Sequence, residues 1–217
     1  MSIQFQNQNK IRVLITGGNG DIAQKLSELL DYAIYETHLP QKNELDVSSR
    51  SSVEEYFHKQ GDKFDIVVNA AGTLYSAHVV GSDPDRWIND INVNLIGTYL
   101  VSKYALESNP SCKIINVSST AGFNSYKDWT SYCAAKAGVL RLSGGLYKDS
   151  FDVITACPGA IQTKIRKNIN IENPNVMTLE EGVMPILDIV KGSYESGDIV
   201  FYRKGQLKVI KQDELSF

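Results

Sequence analysis

The chain has few of the residues that stabilise small secreted domains or bind metals. Three Cys and three His occur among 217 residues, without a CxxC pair or the spacing of a metal site. This pattern favours reduced thiols in a cytoplasm over a disulfide framework, and it predicts no metal. We therefore expect a cytoplasmic protein.

Long apolar runs and blocks of like charge are also missing. Nowhere do 18 apolar residues follow one another, and the opening MSIQFQNQNK is polar, so we expect neither a membrane partner nor a signal peptide. A formal charge of -3 without clustered basic residues predicts no nucleic-acid partner. The length and the hydrophobic content of 42% fit a single domain over residues 1–217.

What the chain does contain is an alternation of short β-rich apolar runs with amphipathic segments. This alternation predicts an α/β fold, a doubly wound parallel sheet of about seven strands with helices on both faces. The predicted strands are 11–16, 32–37, a short 44–47, 64–70, 112–118, 151–157 and 198–202, and the predicted helices are 21–31, 49–59, 83–107, 130–148 and 178–191. The irregular segment 164–178 predicts a loop that covers a site.

The first strand runs into the turn TGGNGDIA and then into a helix. Glycines allow close backbone approach, and a helix N-terminus offers free N–H groups, so this turn is a candidate pyrophosphate site. Its residues are Thr16, Gly17, Asn19, Gly20, Asp21 and Ile22. A tight connection with no ligand is the other explanation of the glycines.

Three further strand ends are candidates for the same edge of the sheet. The small residues Asn69, Ala70, Ala71 and Gly72 leave room for a flat ligand. Asp46, before Val47, could accept a hydrogen bond from an adenine amino group, or it could cap the following helix. The strand end CPGAIQT brings Pro158, Gly159, Ile161 and Thr163 towards the same crevice.

Two Tyr-x-x-x-Lys pairs occur in the chain, and chance alone supplies about 0.8 of them. Tyr132 and Lys136 follow a strand end, and Ser119 lies 13 residues before Tyr132. The other pair lies within a long predicted helix, and Arg86 is found 13 residues before its Tyr99. Position therefore favours the pair at 132 and 136.

In these motifs, taken together and in order, the chain resembles the short-chain dehydrogenase/reductase family over nearly its whole length. The resemblance implies a Rossmann-type domain that binds NAD or NADP. It implies Ser119, Tyr132, Lys136 and Asn94 as catalytic residues, with Lys136 also on the nicotinamide ribose and Asn94 holding a water. A Tyr with an ordinary pKa near 10 needs a stabilised anion to exchange protons, and an ammonium at i+4 lowers that pKa.

Several choices stay open at this point. The turn Thr-Gly-x-x-Gly-x-x-Ala also resembles that of nucleotide-sugar epimerases and dehydratases, and a non-catalytic dinucleotide sensor would share the fold. Either Glu36 or His38 lies at the predicted tip of the second strand, where Glu36 would favour NAD by binding ribose hydroxyls. Lys42 nearby could instead contact the 2′-phosphate of NADP. We expect a small carbonyl or alcohol substrate, with an anionic group as one option because of Lys164, Arg166 and Lys167.

The resemblance also implies a homodimer or homotetramer. The dimer would be built on the predicted helices 83–107 and 130–148, which carry more apolar residues than one face needs. Those residues are Ile91, Val93, Leu95 and Leu100 on the first helix, and Val139, Leu140, Leu142 and Leu146 on the second.

Overall fold

The computed structural model describes residues 10–61, 63–166 and 173–215. Within them the chain forms one seven-stranded sheet. The strands are β1 (Ile11–Ile15), β2 (Tyr35–His38), β3 (Ile66–Asn69), β4 (Lys113–Val117), β5 (Val153–Pro158), β6 (Asp198–Arg203) and β7 (Gln206–Lys211). Their order in the sheet is β2-β1-β3-β4-β5-β6-β7. Strands β1 to β6 are parallel, and β7 pairs antiparallel with β6.

Helices cover both faces of this sheet because successive strand residues point to opposite sides. Val13 and Ile15 of β1 pack in one apolar cluster, and Leu14 packs in the other. The helices are α1 (Asp21–Leu29), α2 (Arg50–Gln60), α3 (Pro84–Ile91), α4 (Gly97–Ser108), α5 (Thr130–Lys148) and α6 (Leu179–Val190). The first cluster includes residues of α1 and α6, and the second includes residues of α2 and α4. The predicted doubly wound α/β fold is confirmed.

The predicted short strand at 44–47 is wrong. The backbone there is held by local bonds instead of a neighbouring strand, since the Asp46 carboxylate accepts from both the backbone N–H and the hydroxyl of Ser48. A similar turn at Asp31 delays the second strand, because the Asp31 carbonyl accepts from Ile34 and Tyr35. The seventh strand is β7, the second arm of the C-terminal hairpin.

The single helix predicted over 83–107 is two α-helices joined by a π-helical turn at Asn92–Ile96. Thr130 and Ser131, at the start of α5, bind α3. The Trp87 indole donates to Thr130 Oγ1 at 3.0 Å, and Ser131 Oγ donates to Asp90 at 2.8 Å. The first turn of α5 is thereby fixed against α3. Ser49 caps α2.

Candidate active site

A cavity of about 680 Å³ opens where the parallel strands end. Ligands of open α/β sheets bind at this edge. The cavity brings together predicted site residues from six segments of the chain. They are Asn19, Gly20, Asp21, Ile22, Ala70, Gly72, Asn94, Ser119, Tyr132, Lys136, Pro158, Gly159, Ile161 and Thr163.

The glycine turn is shaped by the neighbouring strand end. Gly17 has φ +74°, a conformation that side chains disfavour, and a Cβ there would lie 2.9 Å from Ala71 Cα. The Thr16 hydroxyl accepts from the backbone N–H groups of Ala70 and Ala71 at 3.1 and 3.0 Å. Thr16, Gly17 and Ala71 therefore support the turn from behind and do not line the cavity.

The N-terminus of α1 faces the cavity without a side-chain cap. Its cap residue is Gly20, so the first N–H groups of the helix are left for a ligand anion. Asp21, the first helical residue, forms an ion pair with Lys164 at 3.1 Å, and its carboxylate accepts from the Lys164 backbone N–H. This pair joins the glycine turn to the start of the predicted covering loop, of which residues 167–172 lie outside the described residues.

Asn69 supports the site from below. Its amide donates to Ser102 Oγ at 3.0 Å and to Asn116 Oδ1 at 2.9 Å, and Asn116 in turn donates to Ser143. A buried polar network of this kind rigidifies the strands that carry the cavity. Asn69 was predicted to contact the cofactor, and its contacts in the protein are those of a supporting residue.

Asp46 and Val47 lie outside the lining of the cavity. Burial raises the pKa of Asp46, whereas its bonds with Ser48 and the Lys42 ammonium lower it, and the net effect is a lowered pKa. Val47 is buried and packs against Gly97 of α4. Ser49, not Asp46, caps α2, so adenine contact remains the prediction for Asp46.

Glu36 lies before the tip of β2, whereas His38 is the last residue of that strand. Glu36 is in register with Arg12, near the start of β1, and its carboxylate is 3.0 Å from His38 Nε2. Gly18 donates its N–H to the Pro40 carbonyl instead, so the glycine turn contacts the chain after the end of β2. Glu36 is therefore not positioned to bind the adenosine ribose.

Ser119 and Tyr132 meet in the cavity. Ser119 is the second residue after the end of β4, and its hydroxyl hydrogen-bonds Tyr132 and accepts from the Ala121 N–H at 3.1 Å. Burial raises the pKa of Tyr132 to about 12, and the bond with Ser119 and the nearby Arg166 guanidinium oppose this rise. The phenol is thus protonated at neutral pH. The Ser118 hydroxyl donates to the Lys136 carbonyl.

Lys136 lies one helical turn after Tyr132 and is almost fully buried, with 4% of its surface exposed. Its ammonium donates to the Val117 carbonyl at 2.9 Å and lies 5.6 Å from the Tyr132 ring centre. Burial lowers the pKa of Lys136 to about 8, and Asp90 opposes this fall. The expected lowering of the Tyr132 pKa is not found, because burial raises this pKa.

Asn94 lies in the π-helical turn and is fully buried. Its amide nitrogen donates to the carbonyls of Thr73 and Asp90 at 2.9 and 2.8 Å, which fixes the orientation of the amide. Its Oδ1 has no hydrogen-bond partner in the described chain. Gly72 lies beside this oxygen, since a Cβ at Gly72 would be 3.0 Å from Asn94 Oδ1 and 3.9 Å from Lys136 Nζ. A buried orphan acceptor next to an ammonium suits a ligand hydroxyl or a water.

Asp90 is a polar residue of this site that the sequence reasoning missed. Its side chain is 1% exposed and accepts hydrogen bonds from Thr73, Asn94 and Ser131 at 2.6, 3.0 and 2.8 Å. A charged residue four positions before Asn94, on the same helix face, was a signal in the sequence.

The second Tyr-x-x-x-Lys pair is excluded from the cavity. Tyr99 is 45% exposed on α4, and Lys103 forms an ion pair with Glu107 on the same helix. Of the two pairs, the one at 132 and 136 lines the cavity.

The outer wall of the cavity is aromatic and basic. Tyr126 and Trp129 pack with ring centres 5.3 Å apart, and Trp129 meets the edge of Tyr132. Arg166 and Arg203 also line the cavity, and neither guanidinium forms an ion pair with a carboxylate in the part of the chain that the structure describes. The part of the chain described here contains no group of three residues suited to a metal and no helix long and apolar enough to cross a membrane.

The chain is similar to known sequences. A family profile described as short chain dehydrogenase matches residues 10–174. An uncharacterized oxidoreductase of Staphylococcus aureus is 29% identical over 169 residues, which cover 73% of this chain and 71% of that protein. One from Staphylococcus saprophyticus is 30% identical over 169 residues, covering 71% and 70%.

Solved structures show the same fold. A small-chain dehydrogenase in complex with NADPH superposes with a TM-score of 0.81 at 20% identity, covering 91% of this chain and 98% of that one. A gluconate 5-dehydrogenase from Burkholderia cenocepacia in complex with NADP and tartrate gives 0.77 at 19% identity, covering 93% and 96%. The chain belongs to the short-chain dehydrogenase family. It is accordingly an NAD(P)-dependent oxidoreductase.

Proposed function

We propose that this protein transfers a hydride between NAD(P)(H) and a small carbonyl or alcohol substrate, with Tyr132 as the general acid/base. The observation that carries the proposal is one cavity that holds Ser119, Tyr132, Lys136 and Asn94 beside an uncapped, glycine-lined helix N-terminus. A non-catalytic sensor needs only the second part of this arrangement.

The residues present fit a nicotinamide dinucleotide. The N–H groups at the start of α1, beside Gly20, suit the pyrophosphate, and the orphan Asn94 Oδ1 and the Lys136 ammonium suit hydroxyl groups. Bound there, the dinucleotide would supply the hydride chemistry. Both NAD and NADP are retained, because Glu36 is remote from the turn and Lys42 is 3.6 Å from Asp46.

The protein's own residues would manage the proton. Ser119 would hydrogen-bond the substrate oxygen, and Tyr132 would donate to it or accept from it. Because burial raises the Tyr132 pKa to about 12, the phenol carries its proton at neutral pH, which favours reduction of a carbonyl. Lys136, with a pKa of about 8, would supply positive charge that stabilises the phenolate. Asn94 Oδ1 would hold a water that passes a proton to Lys136.

The cavity wall favours a substrate that carries a carboxylate or phosphate. Arg166 and Arg203 present guanidinium groups without a carboxylate partner among the described residues, and such groups bind planar anions through paired hydrogen bonds. Tyr126 and Trp129 provide apolar contact beside them.

The three cysteines are unpaired, which supports a reducing cytoplasm as the location.

We also propose a homodimer built on α4 and α5. Leu100, Val139 and Leu140 are buried within the protomer, so their side chains are not available for contact with a second copy. Ile96 and Tyr99 remain 40% and 45% exposed on α4 and are the better candidates for contact with a second copy. Light scattering at micromolar concentration tests the assembly.

The proposed reaction is tested by following oxidation of NADH and NADPH with a panel of small aldehydes and ketones, each with and without a carboxylate or phosphate. We expect net consumption of reduced cofactor, and we expect Arg166→Ala to raise KM for the anionic members alone. Turnover of a nucleotide sugar without net consumption would instead support the epimerase alternative. Absence of both, with cofactor binding intact, would support a sensor.

A further inference from the structure

The mechanism above gives no role to a buried charged group that binds Asn94, the carboxylate of Asp90. It accepts three hydrogen bonds, each from a different segment: Thr73 after β3, Asn94 in the π-helical turn and Ser131 at the start of α5. An ionised carboxylate accepts and never donates, and here every partner donates. The charged form of Asp90 therefore matches its surroundings.

The second observation is the closeness of this cluster to Lys136. Asn94, whose amide is bound to Asp90, and the Lys136 ammonium both lie within 4 Å of the position that a Gly72 Cβ would take. Ser131 and Tyr132 are neighbours in the chain, so the carboxylate also holds the helix turn that carries the phenol. A single buried negative charge thus stands behind Asn94, Tyr132 and Lys136.

Charged and titratable groups on the other elements do not replace it. The groups that act on Lys136 are Asp90 on α3 and the Cys157 thiol on β5. Burial raises the pKa of Cys157 to about 12, so this thiol is neutral at pH 7. Tyr132 is neutral as well, and Arg166, which acts on Tyr132, is positive. Asp90 is therefore the negative charge that faces the lysine in the described part of the chain.

We propose that Asp90 is a positioning residue, a buried counter-charge that keeps the Lys136 ammonium charged and holds Asn94 and the first turn of α5 in place around it. Buried charges are stable only when paired and hydrogen-bonded, and a buried ammonium without a nearby negative charge sheds its proton. The benefit to catalysis rests on the proposed function, but the electrostatic link does not.

The test therefore uses unfolding of the cofactor-free protein and needs no substrate. Lys136→Met isolates the stability contribution of the ammonium, and this contribution changes with pH around the lysine's folded pKa. The measurement is repeated in the Asp90→Asn background, where the side chain keeps its size and loses its charge. We expect the midpoint of the pH-dependent contribution to move to lower pH by at least about half a unit.

Ser131→Ala is the matched control, since it removes one hydrogen bond to Asp90 and leaves the charge. We expect its midpoint to stay at the wild-type pH. A midpoint that does not move in Asp90→Asn, or that moves equally in Ser131→Ala, would overturn the proposal and leave Asp90 a purely structural residue.

A failure of Asp90→Asn to fold still decides the question. If the ammonium is then the unpaired charge, the double variant Asp90→Asn with Lys136→Met folds, which supports the proposal. If the double variant also fails, the hydrogen bonds alone account for Asp90, and the proposal is wrong. Because none of these readouts involves turnover, the result stands whether or not the proposed oxidoreductase reaction is found.

Discussion

Replacement of Lys136 by Met should make the cofactor-free protein more stable at neutral pH. The ammonium is buried, and its pKa falls from 10.5 to about 8 on folding. This fall corresponds to a penalty of roughly 3 kcal/mol for folding with a charged lysine. Loss of the hydrogen bond to the Val117 carbonyl offsets about 1 kcal/mol of the gain. Lys136→Met should therefore raise the free energy of unfolding by roughly 2 kcal/mol at pH 6.5.

The pH dependence follows from the sign of this pKa change. Between pH 8 and 10.5 the unfolded chain holds a proton on Lys136 that the folded protein has lost, so the stability of the wild type rises with pH there. Below pH 8 both states are charged and the full penalty applies. The advantage of Lys136→Met should thus shrink by about 2 kcal/mol between pH 6 and 9.5.

Urea unfolding followed by the fluorescence of Trp87 and Trp129 measures this difference at each pH. Lys103→Met is the matched control, because that lysine has the same spacing from a Tyr but lies on the surface in an ion pair with Glu107. Its effect should be within about 0.5 kcal/mol and independent of pH. A Lys136→Met protein that is less stable than the wild type at pH 6.5, or a difference that does not vary with pH, would refute the reasoning.

Three further predictions concern the cofactor turn, the proton and the fold. Gly17→Val should abolish the rise in melting temperature that NAD or NADP causes, since its Cβ would meet Ala71, whereas Gly61→Val, also at positive φ but with open space around it, should keep that rise. The rate of carbonyl reduction should fall with rising pH above about 8, because Lys136 loses its proton. Lys136→Arg stays charged and should move this fall in rate above pH 10, whereas a fall at the same pH in the variant would assign it to another group. Thr178→Ala removes the capping box with Glu181 at the start of α6 and should lower the free energy of unfolding by about 1 kcal/mol in urea titrations, an unchanged midpoint counting against this cap.

The parts of the molecule that could be predicted are those where local pattern and tertiary structure agree. Parallel strands buried on both faces give continuous apolar runs, such as Ile-Val-Val at 66–68. Five of the six parallel strands were found close to their predicted bounds. The segment at 44–47 misled because Leu45 and Val47 pack in the core without a strand partner, while Asp46 satisfies the local backbone.

The site shows a similar division. Ser119, Tyr132 and Lys136 are identified by spacing relative to strand ends, because strand ends converge at one edge of the sheet. Asp90 is not identified in this way, because its function depends on Thr73 and Ser131, which are 17 and 41 residues away in the chain. The π-helical turn that orients Asn94 was equally hidden within an uninterrupted helical pattern.

The central claim is that Tyr132, and not Tyr99, exchanges the proton. It is tested most directly by comparing turnover of Tyr132→Phe and Tyr99→Phe with a carbonyl substrate found in the panel, alongside cofactor affinity. Tyr132→Phe should lower kcat by at least about a hundredfold with cofactor binding nearly kept, and Tyr99→Phe, exposed on α4, should stay within a few-fold of the wild type. Equal losses in the two variants, or undiminished turnover in Tyr132→Phe, would contradict the account.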